Sequence, residues 1–164
     1  AINHGNSGGP LLTLEGKVGG VNTSLQPDYT TGETAQGIGY AVGSDTIRAV
    51  YDELKADGAV DRGLLGVRGF QSLRPAQARQ LGLGEDTGGI YLDPEIAQVD
   101  ANGPAAAAGM QAGDVILEVN GMKVANEGDL AVAMIKTSPG QQIDVKVFRD
   151  GKETTLKVTL GTGS

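Results

Sequence analysis

Three glycines crowd a single serine in Asn3-His4-Gly5-Asn6-Ser7-Gly8-Gly9-Pro10, and that crowding dictates a sharp, exposed turn. Without a Cβ the chain adopts positive φ angles and lets another backbone approach closely. The apolar pair Leu11-Leu12 follows directly, as a strand behind the turn. On such a turn the hydroxyl faces outward, and the Gly5 and Ser7 N–H groups, flanking Asn6, converge on one point. That is the geometry that stabilises a tetrahedral oxyanion in acyl transfer. The same residues also suit a plain glycine-rich turn between two strands, with Ser7 bonding only backbone, since short motifs match by chance.

Beyond the turn, Leu11-Leu12-Thr13-Leu14, Glu15-Gly16 and Lys17-Val18-Gly19-Gly20-Val21-Asn22-Thr23 read as two strands joined by a hairpin. Residues 24–36 are polar and rich in Thr and Gly, a surface loop. Residues 37–42 return as a strand, with Ile38, Tyr40 and Val42 on one face. Ser44 is placed to cap a helix. In that helix Ile47, Val50, Tyr51 and Leu54 form one apolar stripe, ended by Asp57-Gly58.

Ala59-Val60-Asp61-Arg62-Gly63 has linker character. Leu64-Leu65-Gly66-Val67 then leads into a strand over 67–70. Pro75 opens a short helix that Gly82 stops; Arg74 before it is a weak cap. A strand begins at Gly89-Ile90-Tyr91-Leu92, and the stretch 93–99 implies a bulge or extra turn at Pro94. Gly103-Pro104-Ala105-Ala106-Ala107-Ala108-Gly109 is a helix of one or two turns. Asn126 caps a further helix with Asp129 reaching back, and Leu130, Ala133 and Met134 share one side of it. Residues 143–148 and 154–160 alternate about Arg149-Asp150-Gly151-Lys152, a second hairpin.

Three blocks in order, the serine turn, Gly20-Val21-Asn22-Thr23 and Gly37-Ile38-Gly39-Tyr40-Ala41-Val42, resemble the HtrA (Deg) branch of the trypsin-like serine proteases. Met110-Gln111-Ala112-Gly113-Asp114-Val115-Ile116-Leu117-Glu118-Val119-Asn120-Gly121 is similar to the "L-x-x-G-D-x-I-x-x-[VI]-[ND]-G" block of PDZ domains. The resemblance implies a mainly β chain with short helices. It would comprise the end of a trypsin-like second β-barrel over 1–58, a linker over 59–63, and a circularly permuted, HtrA-type PDZ domain over 64–164. Because the chain opens in mid-motif, an excised fragment is expected.

By that resemblance Ser7 is the nucleophile on an oxyanion loop formed with Gly5 and Asn6. Ala1, Ile2, Val21 and Ile38 would line an uncharged pocket that favours cleavage after small or aliphatic residues; packing of the barrel alone is the other reading. A serine needs a neighbouring base, usually an imidazole held by a carboxylate. His4 is the single histidine and stands at a variable position of the family, whose base and aspartate lie well upstream. The chain alone is therefore expected to be inactive.

In the PDZ half, the resemblance assigns the Leu65, Gly66 and Val67 N–H groups to a peptide's terminal carboxylate, with Arg62 or Arg68 adding charge. The peptide would add as a strand, its last side chain held by Leu65, Val67, Leu130 and Met134; core packing is again the alternative. The partners implied are unfolded proteins and hydrophobic C-termini in the bacterial cell envelope, and the parent is expected to be a homotrimer or larger. Alone, the chain is expected to dimerise through exposed barrel strands. A non-enzymatic peptide-binding module remains the second possibility.

Composition narrows the field. A net charge of −7 without a basic stripe excludes an electrostatic nucleic-acid footprint. The absence of cysteine excludes disulfides, thiolate metal sites and a thiol nucleophile. Asp114, Glu118 and Asp129 are scattered, no phosphate-binding glycine loop occurs, and neither a metal nor a cofactor is expected. With few aromatics, the core must be built from Val, Leu, Ile and Ala.

Overall fold

The computed structural model describes residues 5–27 and 34–162, with side chains described over 5–23 and 39–162. The chain divides into two compact units, residues 1–60 and 61–164.

The first unit is a three-stranded antiparallel sheet in the order β1 (Pro10–Leu12), β2 (Val18–Pro27), β3 (Thr34–Gly43), followed by helix α1 (Ser44–Asp57). The β1–β2 hairpin turns through residues 13–17, where Thr13 N donates to Lys17 O and Gly16 N to Thr13 O. Helix α1 ends as its sequence requires, with Gly58 left-handed at φ 68° and its N–H donated to Leu54 O. Its start differs from expectation. Ser44 is the first helical residue and Gly43 occupies the cap, with no side-chain capping bond. The stripe Ile47, Val50, Tyr51 and Leu54 forms as a face, yet no residue of α1 is buried. Among the described residues of this unit only Gly20 and Asn22 are buried. Three strands and a helix present apolar faces without enclosing them.

All the buried apolar residues described belong to the second unit. Its main sheet runs β12 (Lys152–Thr159), β11 (Gln142–Arg149), β9 (Val115–Val119), β7 (Ile90–Tyr91), β6 (Gln71–Ser72), with β10 (Met122–Lys123) also paired to β9. Strand β9 is buried on both faces, as a central strand must be. Ile116 and Val119 join Leu65, Ile90, Leu92, Leu130 and Val145 in the larger core. Val115 joins Leu73, Ala78 and Phe148 in a smaller one, with Leu117 packed against it. Helix α2 (Pro75–Leu81) contributes Ala78 to that second cluster. Arg74 has no acceptor to offer the helix; instead Gln77 Oε1 reaches back to Arg74 N at 3.1 Å.

Two pairs of short strands complete the unit: β4 (Gly63–Leu64) with β13 (Gly161–Thr162), and β5 (Val67–Arg68) with β8 (Gln98–Val99). The expected strand over 67–70 is therefore interrupted. Gly69 sits at φ +67° and a Cβ there would lie 2.1 Å from Ile96 O, so the chain kinks and pairs again only at β6. The extra turn at Pro94 is present: Ile96 N and Ala97 N both donate to Asp93 O, and Glu95 N to Asp93 Oδ1. Helices α3 (Pro104–Ala107) and α4 (Glu127–Ile135) follow their start signals. Asn126 Oδ1 accepts from Asp129 N, while Asp129 Oδ2 reaches one residue further back, to Ala125 N. The β9–β10 and β11–β12 turns are pairs of positive-φ residues, Asn120-Gly121 and Asp150-Gly151, as hairpin twist demands.

Candidate functional site

In the first unit the serine turn is pinned to β2. Gly8 N donates to Asn22 O at 2.8 Å, Asn22 N to Gly9 O at 2.9 Å, and Gly9 N to Asn6 O at 3.0 Å. Gly5 and Gly8 take φ of 94° and 83°, conformations closed to most side chains. Ser7 is exposed, and its hydroxyl donates to Thr23 O at 3.1 Å. A carbonyl holds the hydroxyl proton but cannot accept it as a base, so this bond orients Oγ without activating it. Behind the turn, Asn22 is 8% exposed, its Oδ1 buried without a hydrogen-bond partner among the described residues.

Of the expected pocket residues, Ala1 and Ile2 lie outside the described residues, as does His4, and the side chain of Ile38 is not described. Half-buried Val21 pairs with Pro10 on one side and Val42 on the other. Ile38 stands four residues along β3 from Val42.

In the second unit Leu65, Val67, Leu130 and Met134 are brought together. They line a hollow of about 250 Å³, together with Gly63, Phe70, Ile116, Glu127 and Ala131. Leu65 and Leu130 are buried, and Val67 and Met134 half-buried, so the first pair forms the floor and the second the walls. On α4 the lining residues Glu127, Leu130, Ala131 and Met134 fall at i, i+3, i+4 and i+7, one face of the helix. That spacing, extended one step back from Leu130, would have found Glu127 from sequence.

Gly66 turns the loop at φ +79°, and a Cβ there would lie 3.1 Å from Pro104 Cδ. The loop carbonyls on either side are engaged: Ala105 N donates to Leu65 O and Asp100 N to Gly66 O. The loop is thus anchored through its acceptors, an arrangement suited to presenting N–H groups to an anion. Arg68 does not line this hollow. It lies on a second one, of about 310 Å³, with Leu64, Gly66, Val67, Gln98, Val99 and Asp100. Arg62 Nη1 donates to Asp61 O at 3.2 Å.

Among the described residues no group of three or more His, Cys, Asp or Glu could hold a metal ion, and no helix is long and apolar enough to cross a membrane.

Residues 63–160 match the PDZ domain family. Along nearly its whole length the chain is similar to probable periplasmic serine endoproteases described as DegP-like. The one from Marinomonas sp. (strain MWYL1) is 40% identical over 160 residues, covering 98% of this chain and 32% of the relative. The one from Ectopseudomonas mendocina (strain ymp) is 40% identical over 162 residues, covering 99% and 32%. The chain therefore spans about a third of the length of these curated relatives. Among solved structures, the HtrA-type protease AlgW with a tripeptide superposes with a TM-score of 0.71 at 36% identity, covering 99% of this chain and 51% of that one. The serine endoprotease from Yersinia pestis gives 0.56 at 29% identity, covering 100% and 50%.

Proposed function

Because the chain belongs to the PDZ domain family and is a relative of HtrA-type serine proteases along both of its units, we propose that it is the peptide-reading and nucleophile-bearing portion of an extracytoplasmic, protein-quality-control endopeptidase. The observation that carries this reading is the hollow between the Leu65-Gly66-Val67 loop and the α4 face of Leu130 and Met134. A loop anchored through its carbonyls, beside an apolar hollow and a short edge strand, β5, suits the C-terminus of a hydrophobic peptide. Its carboxylate would sit on the loop N–H groups, with Arg62 or Arg68 contributing charge at longer range.

In the whole protein Ser7 attacks the scissile carbonyl and the Gly5 and Ser7 N–H groups hold the oxyanion, with Asn6 shaping the loop. Ala1, Ile2, Val21 and Ile38 make the uncharged pocket that selects small and aliphatic side chains. We assign 1–58 to the protease domain, 59–63 to a linker and 64–164 to the PDZ domain. The assembly is a trimer or larger, as the family resemblance implies, and it works in the bacterial envelope, in keeping with relatives named as periplasmic.

These 164 residues alone do not turn over substrate. The Ser7 hydroxyl is engaged by a backbone carbonyl, and a serine without a base retains at best the weak rate that the oxyanion loop and binding supply. That same bond favours a second reading, a peptide-binding module in which the serine turn is only structural. Labelling the source organism's lysate with a fluorophosphonate, which reacts with activated serines, separates the two. A labelled band that antibodies to this chain also recognise supports the peptidase; a recognised band without label supports the binding module.

A further inference from the structure

Cysteine is absent and methionine occurs three times, so mild oxidation of this chain by peroxide falls on thioethers. The three stand in different places. Met110 is 3% exposed, within the larger core. Met122, on β10, is half-buried against that core. Met134 is half-buried too, but it lines the open hollow between α4 and the Leu65-Gly66-Val67 loop. A thioether on a groove wall is within reach of a small oxidant, and it is also the part of the wall that an apolar ligand touches.

The backbone under Met134 is fixed. Its carbonyl accepts from Thr137 N at 3.0 Å and from Thr137 Oγ1 at 2.7 Å, and Thr137 is 2% exposed. A changed side chain at 134 therefore stays at the groove instead of swinging away with a frayed helix end. A sulfoxide would bring a polar, hydrogen-bond-accepting oxygen into that wall. Of the described lining side chains none donates to it. Leu65, Val67, Phe70, Ile116 and Leu130 are hydrocarbon, and Glu127 in its ionised form only accepts. While the hollow is open, water solvates the oxygen. Covered by an apolar ligand, it loses that water and gains no partner, which penalises the complex and not the free protein.

We infer that Met134 is an oxidative modification site, at which conversion to the sulfoxide turns off capture of apolar C-termini. This rests on the C-terminal peptide reading above and adds its regulation. A lone pair on Sδ attacks one oxygen of hydrogen peroxide, the O–O bond breaks and an S–O bond forms. After a proton shift the second oxygen leaves as water. Sulfur loses two electrons and the peroxide gains them. A thiol-dependent methionine sulfoxide reductase reverses the change: the thiols supply two electrons and two protons, and the oxygen leaves as water. Capture is thus lost under oxidant and restored by reduction.

The test treats the full 164-residue chain with hydrogen peroxide, removes the oxidant with catalase, and titrates fluorescent peptides. These end in Val or Leu, contain no Met, Cys, Trp or Tyr, and are made as free acids and as C-terminal amides. Met134→Leu and Met122→Leu are treated alike. The quantity read is the ratio of Kd after treatment to Kd before it within each protein, so the starting affinity of a variant does not enter. Peptide mapping by mass spectrometry locates the added oxygen. The expected result is oxygen on Met134 and affinity about ten-fold weaker in wild type and in Met122→Leu, against a ratio near one in Met134→Leu. The reductase restores binding, and excess peptide slows oxidation of Met134. The role of Met134 is overturned, with the groove left standing, by any of three results: an oxidised Met134 that binds free-acid peptides as before, a Met134→Leu chain that loses affinity as wild type does, or a Met134 that resists peroxide while Met122 is oxidised. If no free-acid peptide binds better than its amide, the C-terminal reading itself falls, and the inference with it.

Discussion

Arg149 grips Asp114 with both arms of its guanidinium, Nε to Oδ1 at 2.5 Å and Nη2 to Oδ2 at 2.7 Å, and the same Nη2 reaches Gly109 O at 2.8 Å. Asp114 is fully buried and also accepts from Gln111 N at 3.0 Å. One carboxylate thus ties the loop before β9 to the far end of β11. Removing one partner of a buried pair leaves the other charge uncompensated, so Asp114→Ala should cost about 3–5 kcal/mol. At about 4–8 °C per kcal/mol for a domain of this size, thermal melts followed by circular dichroism will show a drop well above 10 °C. A double replacement, Asp114→Leu with Arg149→Met, should do less harm than either single change; additive losses would show that the two residues are not coupled.

Gly66 and Gly69 separate binding from folding. Gly66→Ala forces a side chain into φ +79° against the flexible edge of Pro104, whereas at Gly69 the obstacle is the Ile96 carbonyl, 2.1 Å from the new Cβ. A ring carbon gives way more readily than backbone. We expect Gly69→Ala to lower stability by more than about 2 kcal/mol and Gly66→Ala to cost less while abolishing peptide binding. Urea melts and fluorescence polarisation on the same samples check both; binding retained by Gly66→Ala counts against a carboxylate loop.

Leu130 and Met134 face the same hollow from different depths. Leu130 is 6% exposed and belongs to the core, so truncation leaves a cavity and costs about 2–4 kcal/mol. Met134 is half-buried and its truncation should cost about 1 kcal/mol or less. Both should weaken a peptide ending in Val or Leu, Met134→Ala with little change in melting. Equal affinity for wild type and Met134→Ala would place the last side chain elsewhere.

Where the sequence carried a local rule, the fold was legible. Gly58 and Gly82 stop their helices, Asn126 caps α4, and Asp150-Gly151 turns the last hairpin, because each is decided within a few residues. The meeting of Leu65, Val67, Leu130 and Met134 was legible through family resemblance and helix spacing. What escaped depended on distant contacts. The strand over 67–70 alternates plausibly on paper, but Gly69 must kink to pack on the Pro94 turn, some 27 residues away in the chain. Ser44 looked like a cap because its side chain suits one, yet the β3 strand delivers Gly43 to that place and Ser44 enters the helix. Glu127 was passed over because apolar periodicity marks cores and is silent about a charge on the same face.

Alkaline stability should reveal Tyr91. Burial, then the charges of Asp93 and Glu95, push its phenol above the ordinary value near 10. The folded state therefore holds the proton longer than the unfolded chain does. That contribution is fully present below the unfolded pKa and is lost as pH rises through the folded one. Melting temperatures of wild type should fall more steeply above pH 10 than those of Tyr91→Phe, and the two curves should run parallel below pH 9. Parallel curves throughout would mean that the phenol titrates alike in both states.

The first unit leaves Leu11 at 43%, Leu12 at 56%, Tyr40 at 49% and Val42 at 39% exposure, on a sheet whose outer strands are β1 and β3. Unpaired edges carrying apolar side chains recruit further strands. The 164-residue chain should therefore associate as its concentration rises, with the mean mass by light scattering climbing towards a dimer or beyond. Leu12→Lys puts a charge on β1 without removing anything from a core, since Leu12 is exposed. It should shift the association to higher concentration and leave peptide binding by the second unit unchanged. A wild-type mass that stays monomeric up to the solubility limit would show that these edges are not available for pairing.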